Sequence, residues 1–191
     1  KLTGKEETLK SYEKMADKVL KMLEAESFEG TYSSVDIKAM SALYKQITFS
    51  KSMAKEENYE IPVEIGGNLT AVNLKMIHKE SGESKVTITM ETVALGRTGA
   101  EFSFQNELLT GYGICDSKEG TALLSKGKER FEQLLLREGI KTGDIWFMEN
   151  AKLDLTEFSL KAEADRVSAP TSDQFYQVAK AYIGYIQEIS R

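Results

Sequence analysis

The chain has 191 residues and a mass of 21.4 kDa; 41% of its residues are hydrophobic, 29% are charged, and the formal net charge is −5. That is enough apolar material for a real core, too much for a disordered chain, and the length fits one domain, alone or with appended helices. The acidic balance excludes a dedicated nucleic-acid binder and a polybasic membrane anchor, because both need a basic face.

One Cys and one His exclude an internal disulfide framework and a four-ligand zinc site, and no metal or cofactor is expected. Leu134-Leu135-Leu136 typifies the longest apolar runs, far short of the ~20 residues of a membrane-crossing helix, so no membrane insertion is expected. The chain opens on Lys1 with no apolar leader behind it, which reads as a piece of a longer protein. No feature of the sequence specifies an oligomeric state.

From Lys5 to Glu26, Leu9, Tyr12, Ala16, Val19, Leu20 and Leu23 recur at helical spacing among Lys and Glu, which predicts an amphipathic helix. Phe28-Glu29-Gly30-Thr31 breaks it. Ser33 or Ser34 then caps a second helix, with Asp36 in its first turn. Ile37, Met40, Leu43, Tyr44 and Ile47 form its apolar face, and Lys55-Glu56-Glu57-Asn58 ends it. The two read as an antiparallel helix pair.

At Tyr59 the hydrophobic period falls from about 3.6 to 2, the signature of strands. Ile61, Val63 and Ile65 alternate, Gly66-Gly67-Asn68 turns the chain, and Val72, Leu74 and Met76 alternate again. A second turn is placed at Glu80-Ser81-Gly82-Glu83. Val86, Ile88 and Met90 then oppose Thr87, Thr89 and Glu91, and Leu95-Gly96 makes a third break. Ala100, Phe102 and Phe104 follow in alternation, then a loop at Gln105-Asn106-Glu107 and a fifth strand over Leu109 to Cys115. Loops this short favour antiparallel neighbours. The expectation is a five-stranded meander with one face wet.

Asp116 or Ser117 starts a third helix with Leu123, Leu124, Phe131, Leu134 and Leu135 on its apolar side. Gly120 and Gly127 inside it would each cost about 1 kcal/mol against Ala, which points to a late start or a close approach to the sheet. Gly139 is placed as a left-handed stop, with Ile140 packing back. Asp144 to Met148 reads as a sixth strand, with Trp146 in the core or against a helix. Asn150 to Ser168 reads as a wrapping linker. Thr171 and Gln174 form a capping box ahead of a last helix whose stripe is Phe175, Val178, Ala179, Tyr182 and Ile186. The fold class expected is α+β: a mainly antiparallel five- to six-stranded sheet packed by amphipathic helices on one face, with an N-terminal helix pair and a C-terminal helix. Its parts are residues 1–58 (helical), 59–150 (sheet and helix core) and 151–191 (linker and final helix).

Four residue groups invite a chemical reading. Cys115 and His78 are the one possible nucleophile–base pair, with Asp116 as the orienting group; nothing in the sequence supplies the oxyanion donors such chemistry needs, and a free Cys is more often a small buried hydrophobe. Gly111-Tyr112-Gly113 echoes a phosphate loop, but the glycines lie inside a strand and position 116 is Asp, so a bulge or a close backbone contact is expected. Glu56, Glu57, Glu91 and Glu101 read as solvated surface. The seven Met residues, scattered from Met15 to Met148 and not clustered, read as core filling.

The segment Val86 to Met148 resembles the C-terminal domain of flagellar hook-length control proteins. The matching features are Ile88 and Met90 before Leu95-Gly96, then the strands Ala100-Glu101-Phe102 and Thr110 to Cys115. The helix Phe131-Glu132-Gln133-Leu134-Leu135-Leu136-Arg137-Glu138 with its Gly139-Ile140 stop completes them. Thr92-Val93-Ala94 stands where the family usually carries a Pro. The wider chain, with Ile61-Pro62-Val63 and the helix from Phe175 to Ala181, is similar to large uncharacterised clostridial proteins.

The resemblance implies a non-enzymatic module that contacts the cytoplasmic domain of the flagellar export gate and switches its export specificity. It also implies a cytoplasmic protein, itself exported through the flagellar type III apparatus. The docking patch expected is the turn Leu95, Gly96, Arg97, Thr98 and Gly99 with the adjoining sheet edge. That picture requires residues 86–148 to fold as hairpins backed by one glycine-terminated helix, with a surface and no reactive pocket; a deep cleft joining Cys115 and His78, or a parallel, crossover-linked arrangement of these segments, would overturn it. A structural or assembly domain with no export-gate role, and a Cys115-dependent hydrolase, remain as alternatives.

Overall fold

The computed structural model describes residues 4–29, 34–78, 83–163 and 173–191. The chain divides into two compact units, Lys1–Asn58 and Tyr59–Arg191. The division falls where the hydrophobic period changes, and residues 151–191 belong to the second unit.

The first unit is two helices, α1 (Lys5–Glu29) and α2 (Ser34–Lys55). Lys51 bonds Glu13 at 2.9 Å, and Lys5 at the start of α1 lies 4.0 Å from Glu57 just past the end of α2, so the pair is antiparallel. Val19 and Ile47 are buried, but Met15, Leu20, Met22, Val35, Leu43 and Phe49 are exposed. Ser33, Gly30 and Thr31 lie outside the described residues.

The second unit holds a six-stranded sheet in the order β1-β2-β3-β4-β5-β6. The strands are β1 (Asn58–Ile65), β2 (Asn68–His78), β3 (Ser84–Thr92), β4 (Gly96–Gln105), β5 (Leu108–Cys115) and β6 (Thr142–Glu149). The chain turns between β1 and β2 on Gly66 and Gly67, with φ of 55° and 77°, and between β4 and β5 on Asn106 and Glu107, with φ of 49° and 66°. Successive positive φ values give the twist that two-residue hairpin loops need. The β2–β3 turn expected at residues 80–83 lies outside the described residues but for Glu83.

β2 to β5 pair antiparallel. β6 corrects the hairpin expectation: it runs parallel to β5. A parallel return needs a crossover, and the chain supplies one through α3 (Lys118–Lys126) and α4 (Lys128–Arg137). Where one long helix was expected there are two. Ser117 caps α3 by accepting from the Gly120 N–H at 3.0 Å, and Gly127 ends it. A Cβ on Gly127 would stand 2.7 Å from the Tyr185 ring, and one on Gly120 2.6 Å from the Leu95 carbonyl oxygen, so both glycines mark close approaches. α4 stops as expected at Gly139 (φ 77°). The Ile140 N–H returns to the Leu135 carbonyl and the Gly139 N–H to that of Leu136, each at 3.0 Å, and Ile140 is buried.

The register fixes two faces. Val86, Ile88, Met90, Ala100 and Phe102 share one face, and all are buried. Against it lie α4 and α6 (Asp173–Ile189): Phe102 meets Phe131 and Tyr182 with ring centroids 5.5 Å apart, and Phe131 meets Tyr185 at 5.3 Å. The expected stripe of α6 is buried throughout, together with Tyr176, Ala181, Ile183 and Tyr185. The capping residue Thr171 lies outside the described residues.

The opposite face is not simply wet. Within the expected linker, α5 (Leu155–Glu163) forms a helix that packs on β3 and β4. Phe158 approaches Gly99, where a Cβ would stand 3.0 Å from its ring, and Thr87 and Thr89 are buried. Asp154 nucleates this helix: its carboxylate accepts from the Glu157 N–H at 2.9 Å. The methionines also divide. Met76 and Met90 are core, whereas Met15, Met22 and Met148 are exposed.

Tyr182 is fully buried and its hydroxyl has no hydrogen-bond partner among the described residues. Tyr182→Phe removes that unsatisfied group while keeping the ring, so it is expected to stabilise the second unit by about 1 kcal/mol. A urea midpoint that rises at unchanged slope confirms it, and a fall contradicts it.

Candidate docking surface

Leu95, Thr98 and Gly99 of the expected patch are buried. Gly96, at φ 70°, holds the Asp116 carboxylate in the space a side chain would fill. Arg97 is tied to the same carboxylate twice, its backbone N–H donating to Oδ1 at 3.1 Å and its Nε to Oδ2 at 2.9 Å. The Asp116 N–H in turn donates to the Arg97 carbonyl at 3.1 Å. The open backbone of this turn is thus occupied from within the chain. β4 also lies inside the sheet, so the patch adjoins no edge. Outward-facing around it are Val93, Ala94 and part of Arg97.

The Cys–His pair is separated by the register. Cys115 pairs with Thr98 and Thr98 with Met90, whereas His78 pairs with Ser84 at the other end of β3. At ~3.3 Å per residue and ~4.8 Å per strand, that is about 20 Å along the strands and about 14 Å across them. Cys115 is buried with its Sγ 3.4 Å from the Thr98 hydroxyl, and burial pushes its thiol up. The His78 Nδ1 lies 2.6 Å from the Ser84 hydroxyl. Asp116 serves Arg97 and orients no imidazole.

Gly111 and Gly113 bind no loop of phosphate-cradle geometry. The β5–β6 register shifts between Leu109 and Gly111, but the extra residue lies on β6 between Thr142 and Ile145, so the glycines mark close contacts and not a bulge of β5. A Cβ on Gly113 would stand 2.6 Å from the Phe147 ring, and one on Gly111 2.8 Å from that of Phe102. Among the carboxylates expected to be solvated, Glu57 is instead buried, Glu101 is held by Lys85 at 2.8 Å, and Glu56 and Glu91 are exposed. A shallow, polar groove of about 460 Å³ lies where Gly66 and Gly67 meet Gln187, Ser190 and Arg191.

The surface the sequence reading missed lies on β6. Trp146, expected inside, is 48% exposed, and Met148 beside it is 37% exposed. Trp146 stacks on Tyr112 of β5 at 5.8 Å, and Tyr112 meets Phe158 edge-on at 6.3 Å. The signal was present: Ile145-Trp146-Phe147-Met148 is apolar at consecutive positions, and a strand with only one covered face must then show some of them.

Burial raises Cys115, Tyr182 and Tyr185 above their ordinary values of 9.0 and 10.0. The unfolded chain therefore gives up these protons first: their contribution to stability is complete below about pH 9 and lost as pH climbs past those ordinary values. An ultraviolet tyrosinate titration is expected to show Tyr182 and Tyr185 ionising only as the second unit unfolds; free ionisation with the fold intact contradicts this. Gly96→Ala forces a side chain into a left-handed backbone and against Asp116, with an expected loss of about 1–2 kcal/mol, read by thermal denaturation.

Comparison with protein-family models, with curated proteins and with solved structures finds no match for the chain.

Proposed function

We propose that the protein is a non-enzymatic interaction module of the kind found at the C-terminus of flagellar hook-length control proteins. Its partner in this reading is the cytoplasmic domain of the flagellar export gate. The supporting observation is the order of elements from β3 to Gly139: an alternating strand, a Leu95-Gly96 step, the β4–β5 hairpin and a helix stopped by Gly139 with Ile140 folded back. The parallel, crossover-linked return of β6 overturns the all-hairpin arrangement for that strand, so the reading rests on β3 to Gly139 alone. Cys115 and His78 at opposite ends of the sheet favour a surface over a Cys-based active site.

The turn contributes to that surface through Val93, Ala94 and Arg97. Its rigidity, set by Asp116, lets it present a fixed shape without paying for ordering on contact.

Deleting residues 59–148 from the parent gene is expected to give elongated hooks that lack filaments, counted by electron microscopy of isolated hook–basal bodies. Hooks of normal length with normal motility would overturn the proposal and leave a structural or assembly role. Direct binding of the purified chain to the export-gate cytoplasmic domain is the matching biochemical test.

A further inference from the structure

The two edges of the sheet are built differently. β1, at one end, carries Pro62, which has no N–H to offer, and Glu60 and Glu64 alternate with its apolar residues. The Glu64 carbonyl is already taken by the Gln187 side chain at 2.9 Å. Proline and inward or edge charges are the usual guards of a strand edge. β6, at the other end, has the sequence Thr-Gly-Asp-Ile-Trp-Phe-Met-Glu, with neither Pro nor Lys.

The ladder shows which groups of β6 are open. The Asn150 N–H donates to the Cys115 carbonyl at 2.8 Å, across the β5–β6 pair. Backbone direction alternates along a strand, and in a parallel pair the N–H and C=O of one residue point to the same neighbour. The N–H and C=O groups of Ile145, Phe147 and Glu149 therefore point away from β5, and no strand pairs with them among the described residues. On one flank of this edge stand Trp146 and Met148, both partly exposed. Asp144 and Glu149 stand exposed near its two ends.

We infer that the open edge of β6 is a strand-addition site for an extended, basic segment of a partner protein. Backbone groups supply pairing, Trp146 and Met148 take apolar side chains at alternate positions, and Asp144 and Glu149 select Lys or Arg opposite them. A second copy of the chain fits poorly. Outward groups must face outward groups, so the pairing centred on Phe147 sets each Glu149 opposite the apolar Ile145 of the other copy and gives it no cation. The strand-addition site does not depend on the export-gate reading, since it follows from β6 alone.

Trp146 is the only tryptophan, so its emission reports this edge directly. The probe is the capped octapeptide Thr-Lys-Val-Thr-Val-Thr-Lys-Thr, which run antiparallel to β6 sets its lysines opposite Glu149 and Asp144 and its valines opposite Met148 and Trp146, titrated into the full chain. A saturable blue shift is expected, and hydrogen exchange should slow at the Ile145, Phe147 and Glu149 amides. Glu149→Pro removes the carboxylate and an outward N–H that this sheet does not use, and is expected to bind about fivefold more weakly than Glu149→Gln, the worth of one backbone hydrogen bond. Asp144→Lys with Glu149→Lys should weaken it further and admit the same octapeptide with glutamate in place of each lysine. No saturable shift, protection mapping to other strands, or affinity indifferent to the charge reversal would each overturn the site. A Trp146 emission that changes with protein concentration alone would also overturn it, in favour of self-pairing.

Discussion

The fold depends on an exchange of glycine for aromatic rings on β5 and at the α3–α4 junction. Gly111 leaves room for Phe102, Gly113 for Phe147, and Gly127 for Tyr185, each at a distance no Cβ would tolerate. Into the space so opened packs a continuous cluster: Phe102, Phe131, Tyr182 and Tyr185, with ring centroids 5.3–6.2 Å apart. Offset and edge-on pairs at such distances add about 0.5–1.5 kcal/mol each to the burial itself. The Tyr185 hydroxyl then closes the arrangement by donating to the Leu124 carbonyl in α3. One set of absent side chains thus seats α3, α4, α6 and β6 together.

The same strand is where two kinds of sheet join. On one side of β5 the hairpins of β2 to β5 are local in sequence; on the other, β6 arrives after a helical crossover. The register shift beside Gly111 is taken up by β6, which spends three residues from Thr142 to Ile145 against two on β5 from Leu109 to Gly111, so it is the backbone of β6 that is re-aimed as it joins. After β6 the chain crosses to the far face and lays α5 over β3 and β4, where Gly99 again yields to a ring, that of Phe158.

What was legible in the sequence was whatever a period or a turn residue encodes locally. The strands, the Gly66-Gly67 and Asn106-Glu107 turns, the Ser117 cap and the Gly139 stop all follow from one or a few neighbouring residues. The direction of β6 was not legible, since an apolar run of four residues reads the same beside either kind of neighbour. α5 was missed because its nine residues expose Leu160 and hold no long stripe; its start is an Asp154 cap, a signal easily lost in a polar stretch. The division at Gly127 turned on the position of Tyr185, nearly sixty residues later. Burial of Leu95 and Thr98 could not be read either: the turn looked open because its glycines looked free, and Asp116 fills the space.

A rigid turn and an open strand edge imply different strengths of contact. Ile145, Phe147 and Glu149 each offer a donor and an acceptor, and net gains of about 1 kcal/mol per bond are comparable with the several kcal/mol that association itself consumes. Backbone pairing alone therefore gives weak binding, and affinity must come from Trp146 and Met148 closing over apolar side chains. Those two residues are already half-covered, Trp146 by its stack on Tyr112, so less apolar surface remains to be removed from water. Acidic residues at the ends of the strand raise the encounter rate with a basic segment more than they hold it, since exposed charges are screened within about 8 Å at physiological salt. Together these terms favour a contact that forms fast and lets go.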